Sequence, residues 1–287
     1  MAKFILTTDN TCDLPRDLLE ESGVAFLSLN YTVKGVTYDA SNDMPPKTFY
    51  DLMREGEMPT TSQVNPDEAE RFFRTCLREH DTILHIAFSS GLSGTYQSAC
   101  IAAQIVMDDL PEKKIIVVDS QGASMGEGLM VHYAMKLRDE GKTAEETAAW
   151  LESNRKNFVH LFTVDDLNHL YRGGRVSRTT ALVGTMLNMK PILHVDDEGH
   201  LVALGKVRGR KKSLTDLVDR MGELMEGFKN EIVMISHGDC LEDAEFVRDQ
   251  IRERFGIESF LINYVGTVIG AHAGPGTVAL FFLGQHR

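Results

Sequence analysis

Apolar and polar positions along the chain fall into short blocks with abrupt ends. The sharpest is Ile83-Leu84-His85-Ile86-Ala87-Phe88, which breaks into Ser89-Ser90-Gly91-Leu92-Ser93-Gly94 before a helical pattern resumes at Thr95. A brief apolar run bounded by glycine and hydroxyl residues predicts a buried strand, a tight loop and a helix start. Similar blocks predict strands from Lys3 to Thr8, Ala25 to Leu29 and Lys114 to Asp119. Between them the pattern predicts helices from Pro46 to Arg54, from Pro66 towards Glu79, from Thr95 to about Met107, from Glu127 to Asp139 and from Thr143 to Arg155. Asp13 and Pro15 suit the cap and first turn of a further helix. Tyr31 to Tyr38 predicts a hairpin turning at Lys34-Gly35, and Met58 to Pro66 a loop. Strands alternating with helices indicate a parallel sheet covered on both faces.

From Val159 the pattern changes. A strand HLFTV leads through a short helix and the loop Arg172 to Ser177 to a helical stretch, Ala181 to Asn188. A hairpin then spans Lys190 to Val207 across Asp196 to Gly199, followed by helices from Ser213 to Glu226 and Glu242 to Phe255. Strands are expected at Ile232 to His237, Phe260 to Val265 and Val278 to Leu283, the last two around a glycine-rich segment, Gly270 to Gly276. Hairpins mixed with crossovers imply a mixed sheet. The expected architecture is two α/β domains, residues 1–157 with a parallel sheet and 158–287 with a mixed one.

Composition narrows the function classes. A chain of 287 residues fits one large or two modest domains, and a net charge of -12 argues against nucleic acid or an anionic membrane as main partner. Cys12, Cys76, Cys100 and Cys240 are scattered, as in reduced cytosolic thiols. No apolar run approaches the roughly 20 residues of a membrane span, and the N-terminal stretch meets charge too early for a signal peptide. A cytoplasmic protein without an integral membrane segment is expected. Thirteen methionines either fill gaps in the core or line an adaptable apolar cavity. Met125, Met130, Met186 and Met189 are the candidates for the second role.

Candidate chemistry gathers at the carboxyl ends of the early strands, where ligands of such sheets bind. The first amides of the helix opening at Thr95 lack internal partners and carry partial positive charge. With the serine hydroxyls beside them they form a neutral cradle for a phosphate or a carboxylate. A serine hydrolase would need Gly-x-Ser-x-Gly and a histidine base. Gly91-Leu92-Ser93-Gly94-Thr95 lacks the last glycine, although His272 could serve as base. Thr61 and Ser62, held between Pro59 and Pro66, are either solvated turn residues or ligand contacts. His272, in its glycine-rich apolar setting, is either a core histidine or a site residue. No His-Glu-x-x-His and no Gly-x-Gly-x-x-Gly occurs, so neither a metal nor a dinucleotide cofactor is expected. Lys206, Arg208, Arg210, Lys211 and Lys212, with Arg172, Arg175 and Arg178, form either a solvated face or a docking surface for an acidic or phosphate-carrying partner.

Asp9-Asn10-Thr11-Cys12-Asp13-Leu14-Pro15, Thr61-Ser62-Gln63, the block from Ser89 to Ala99, Leu170-Tyr171-Arg172-Gly173-Gly174-Arg175, Lys190-Pro191-Ile192-Leu193 and His272-Ala273-Gly274-Pro275-Gly276 together resemble the DegV family of bacterial fatty-acid-binding proteins. The resemblance runs from the first strand to the last and departs only at Asn10, where serine is usual. It implies two α/β domains with a long-chain fatty acid between them. It also implies that Thr61 or Ser62, with Ser93 and the Gly94 amide, holds the carboxylate, with His272 nearby. The acid would be presented to a separate fatty acid kinase, with Arg175 and Arg208 on the kinase-facing side. No catalytic residue is implied. The rival readings are a lipid esterase or thioesterase using Ser93 and His272, and a carrier of another amphipathic anion.

Overall fold

The computed structural model describes residues 4–177 and 188–287. The helix expected from Ala181 to Asn188, with Met186, and also Arg178, lies outside the described residues, apart from Asn188, which sits in a turn.

The first half of the chain runs β1 (Ile5–Asp9), α1 (Arg16–Glu21), β2 (Ala25–Leu27), β3 (Asn30–Val33), β4 (Val36–Tyr38), α2 (Pro46–Arg54), β5 (Thr60–Ser62), α3 (Pro66–Cys76), β6 (Thr82–Ala87), α4 (Thr95–Asp109), β7 (Lys114–Asp119), α5 (Met125–Asp139) and α6 (Ala144–Asn154). A four-stranded parallel sheet, ordered β2-β1-β6-β7, forms its centre. Strands covered on both faces carry nearly continuous apolar runs. Accordingly, Leu6, Leu84, Ile86 and Val118 pack into the core around α5 and α6, while Ile83 and Ile115 pack with residues of α3 and α4. Capping boxes fix two helix starts, Asn65 with Glu68 for α3 and Thr143 with Glu146 for α6. At the β3–β4 turn, Lys34 and Gly35 have φ of 51° and 75°, the doubly positive geometry that matches strand twist in a two-residue hairpin.

The second half runs β8 (Phe158–Thr163), α7 (Asn168–Arg172), β9 (Met189–Val195), β10 (Leu201–Arg208), α8 (Arg210–Leu224), β11 (Val233–His237), α9 (Leu241–Phe255), β12 (Phe260–Tyr264), α10 (Thr267–Ala273) and β13 (Val278–Leu283). Its mixed sheet is ordered β10-β9-β8-β13-β11-β12, with β11 and β12 parallel and the other pairs antiparallel. The two faces separate with period two. Val159, Leu161, Val278, Leu280 and Phe282 join the core that holds Leu217, Val218, Val247 and Ile251 of α8 and α9. The alternate residues His160, Phe162, Ala279 and Phe281 face the other way and line a cavity beneath the first half of the chain.

Four local expectations change. Thr60–Ser62, expected in a loop, is strand β5; it pairs antiparallel with β3 in a small sheet ordered β4-β3-β5. Asp13 does not cap α1, whose N-cap position is Pro15 with no side-chain hydrogen bond. Instead Asp13 is left-handed at φ 53°, and its carboxylate accepts from the Ser124 hydroxyl at 2.5 Å and the Gly266 amide. The glycine-rich segment between the last strands holds a helix, α10. Met125 and Met130 are fully buried in the core around α5 and do not line the cavity, so they are packing residues.

Candidate functional site

Helix α10 packs against the small sheet, and this brings together residues 211 apart in sequence. Thr61 Oγ1 and His272 Nε2 lie 2.7 Å apart. Successive strand residues point to opposite faces. Thr61, paired with Tyr31, therefore reaches inward, while Ser62, paired with Asn30, is exposed on the outer side. His272 Nδ1 is buried and has no hydrogen-bond partner among the described residues. A Cβ at Gly173 would lie only 2.1 Å from that nitrogen, so only glycine fits there. Burial, and then the nearby Arg175 charge, lower the His272 pKa to about 4. The ring is therefore neutral near pH 7, with one donor and one acceptor nitrogen.

Arg175 is half-buried and stretches along the same wall. Its Nε donates to the Leu92 carbonyl at 3.3 Å and its Nη1 to the Gly173 carbonyl. Loss of water lowers its pKa.

Ser93 and Gly94 stand beside the segment that follows β5. Ser93 Oγ accepts from the Thr95 amide at 3.2 Å and lies 2.9 Å from Thr95 Oγ1. Gly94 occupies the N-cap position of α4, and a Cβ there would lie 2.4 Å from Gln63 Oε1. The Val64 amide reaches Thr95 Oγ1 at 3.4 Å. Ser93 thus has no hydrogen bond to His272, and the serine–histidine pair that an esterase needs is not assembled.

Two hollows meet at His272 and Arg175. The inner one has a volume of about 80 Å³, narrow beside the roughly 300–1,000 Å³ of small-molecule sites. Its wall is largely apolar, with Phe88, Leu92, Phe162, Val195, Val268 and Phe281 among its residues. The outer hollow is bordered by Thr60, Thr61, Arg172, Gly173 and Ala271. His272 and Arg175 line both and stand at the junction between an apolar interior and a more polar mouth. Ser93 and Gly94 line neither.

Arg208 lines neither hollow and is exposed at the end of β10 opposite Met189. The basic group around it is not one uncommitted patch. Arg210 pairs with Asp243 at 2.7 Å and Asp165 at 3.6 Å, Lys212 lies 3.9 Å from Asp219, and Lys211 sits over the Phe246 ring.

Two features had no signal in the sequence. Asp13 joins the turn after β1 to both the Ser124 loop and the start of α10. Ser124 Oγ is also 2.8 Å from Ser236 Oγ, and Asn263 Nδ2 donates to the Asp13 backbone carbonyl at 2.9 Å. Behind this clasp, Glu127 is fully buried and accepts from Thr8 and Thr11, each at 2.9 Å. Burial, and then the Asp9 charge, hold its carboxyl well above the ordinary value. Among the described residues, no helix is long and apolar enough to cross a membrane, and no group of three or more His, Cys, Asp or Glu is placed to hold a metal ion.

A parallel sheet and a mixed sheet with an apolar cavity between them define a two-domain α/β protein. The chain belongs to the DegV family: a family profile described as "Uncharacterised protein, DegV family" matches residues 3–285. A DegV domain-containing protein of Clostridium perfringens is 41% identical over 289 residues, covering 100% of this chain and 99% of the relative. Among solved structures, a DegV family protein from Thermus thermophilus, described by its fatty acid binding, superposes with a TM-score of 0.86 at 34% identity. It covers 99% of this chain and 100% of that one. DegV of Bacillus subtilis, described as a fatty acid binding protein, gives a TM-score of 0.85 at 28% identity over 99% of this chain and 100% of its own.

Proposed function

We propose that this protein binds a long-chain fatty acid with its tail in the inner cavity and its carboxylate at the junction formed by Thr61, His272 and Arg175. It then presents that carboxylate to a separate fatty acid kinase for acyl-phosphate formation. The observation that carries the reading is the sharing of His272 and Arg175 between an apolar chamber and a polar hollow. Such a boundary suits a molecule with one acidic end and a long apolar remainder. Each buried methylene contributes roughly 0.8 kcal/mol, so the tail supplies most of the affinity. The Thr61 hydroxyl and the neutral His272 ring can orient the head group by hydrogen bonds. These leave more negative charge on the oxygens than a bidentate guanidinium clamp would, which keeps one oxygen nucleophilic towards a γ-phosphate.

In this reading Ser93 and Gly94 act through Gln63 and the end of β5, positioning Thr61, or contact the carboxylate once it enters. Ser62 lies outside the site. Residues 1–157 supply the Thr61 side of the mouth and residues 158–287 the histidine and most of the tail wall. The protein works in the cytoplasm and catalyses no reaction itself. Arg175, and more loosely Arg208, lie on the side that meets the kinase.

Native mass spectrometry of the purified protein, followed by lipid extraction, tests the binding step. One fatty acid per chain is expected, and a phospholipid or no lipid would overturn the reading. Adding a bacterial fatty acid kinase and ATP tests presentation through acyl-phosphate production. A chromogenic ester should give no turnover, and hydrolysis lost in Ser93→Ala would favour the esterase reading instead.

A further inference from the structure

The inner chamber is smaller than the ligand proposed for it. Its volume is about 80 Å³, whereas an apolar cavity of about 150 Å³ accommodates a molecule the size of benzene. A long acyl chain enters only if part of the wall moves outward. Most of that wall is pinned. β8 and β13 pair along their whole lengths, and Tyr50 Oη holds the Val265 carbonyl at 2.7 Å just ahead of α10. The Phe88 amide donates to the Asp9 carboxylate at 2.7 Å, and Ser124 is clasped by Asp13 and Ser236.

The tip of the β9–β10 hairpin is held differently. Val195 and Leu201 both line the chamber and pair with each other to close the turn between them. β10 is the end strand of the mixed sheet, and the last pair joining β9 to β8 is His194 with Leu161. The turn therefore projects past the sheet. It is tied within itself, since the Asp196 carboxylate accepts from the Glu198 and His200 amides, each at 2.9 Å, and the Asp196 amide donates to the His200 carbonyl at 2.9 Å. Such a turn moves as one piece. Among the described residues, two polar contacts hold it to the first half of the chain. Ser89 Oγ, itself buried, donates to the Gly199 carbonyl at 2.9 Å. Lys156 meets Asp197 at 2.5 Å with both side chains exposed, a pair of small value. Gly199, at φ 82°, presses so close that a Cβ there would lie 2.2 Å from Ser89 Oγ.

We propose that the tip from Val195 to Leu201 is a flap over the inner chamber, latched to Ser89 when the chamber is empty and lifted off it when an acyl chain is bound. This rests on the proposed fatty-acid reading. Lifting withdraws Val195 and Leu201 from the wall and widens the chamber while every pair of β8 with β9 and β13 stays intact. The latch competes with the ligand, because the apparent affinity of a protein is reduced by the fraction of it that is competent to bind. Ser89 lines neither hollow, yet it sets how readily the chamber fills.

The test uses the delipidated full chain, with stearate affinity read by isothermal titration and entry and release rates by stopped-flow fluorescence of cis-parinaric acid. Ser89→Ala removes the latch hydrogen bond. It should speed entry and tighten binding by the same factor, about fivefold, with the release rate unchanged. Gly199→Ala crowds Ser89 and pushes the tip away, so it should act in the same direction, and it carries the test alone if Ser89→Ala does not fold. A serine that only supports the fold would behave oppositely, since its loss would loosen the wall and weaken binding. Weaker or unchanged binding in these variants would overturn the inference, as would tighter binding that comes entirely from slower release. Failure of the wild-type chain to bind either acid would instead overturn the fatty-acid reading beneath it.

Discussion

Thr61 and Ser62 illustrate how much one residue of register decides. Sequence alone leaves them interchangeable, two hydroxyls between two prolines. Pairing of β5 with β3 separates them, sending Thr61 to His272 at 2.7 Å and Ser62 to the exposed side. Thr61→Val keeps the shape and removes the hydroxyl. It should weaken fatty-acid binding about tenfold, as loss of one buried hydrogen bond does, whereas Ser62→Ala should change it less than about twofold. Isothermal titration with delipidated protein measures both. Equal effects, or a larger one at Ser62, would place the carboxylate on the other face of the strand.

Elements were legible where a single physical signal dominated. The buried strands β6 and β7 announce themselves as apolar runs that stop at hydroxyl or acidic residues, and α2, α3 and α6 by proline or capping residues at their starts. Those same signals fail for β5, three hydroxyl residues with no alternation to read. They also fail for α10, seven residues containing a glycine and no side-chain cap. Both exist because of tertiary packing, and they are the elements that carry Thr61 and His272. The residues of the site were therefore readable as candidates, but their meeting was not, since nothing local links positions 211 apart. The same holds at Asp13, where an acidic residue two positions before proline looks like a cap until a distant glycine amide takes its carboxylate. Close approach of α5 to β8 is also a long-range fact. Gly126→Ala would place a methyl group against the His160 ring. It should destabilise the fold by about 1–3 kcal/mol, the usual cost of overpacking, as read by urea denaturation. It should also favour shorter acids, as the ring moves into the cavity. An unchanged midpoint together with an unchanged length preference would contradict this packing.

At the scale of the whole molecule, the clasp formed by Asp13, Ser124, Ser236 and Gly266 ties the turn after β1 to the second half of the chain. Burial raises the Asp13 carboxyl from 3.8 to about 7. Between those values the native state holds a proton that the unfolded chain has released, so this group's contribution to stability falls as pH rises through that window. Asp13→Asn cannot titrate. The stability of wild type minus that of the variant should therefore decline from about pH 4 to pH 7 and level off above it, as followed by chemical denaturation at each pH. A difference that grows with pH would mean that Asp13 is charged in the folded protein.

The placement of a bound acid decides between these readings. A crystal structure with a long-chain fatty acid brominated at its terminal carbon would locate both ends at once. The carboxylate should fall within hydrogen-bonding distance of Thr61 Oγ1 or His272, with the bromine inside the chamber walled by Phe162, Phe281 and His160. Bromine outside that chamber, or a carboxylate buried at its far end, would contradict the claim that the mouth holds the head group.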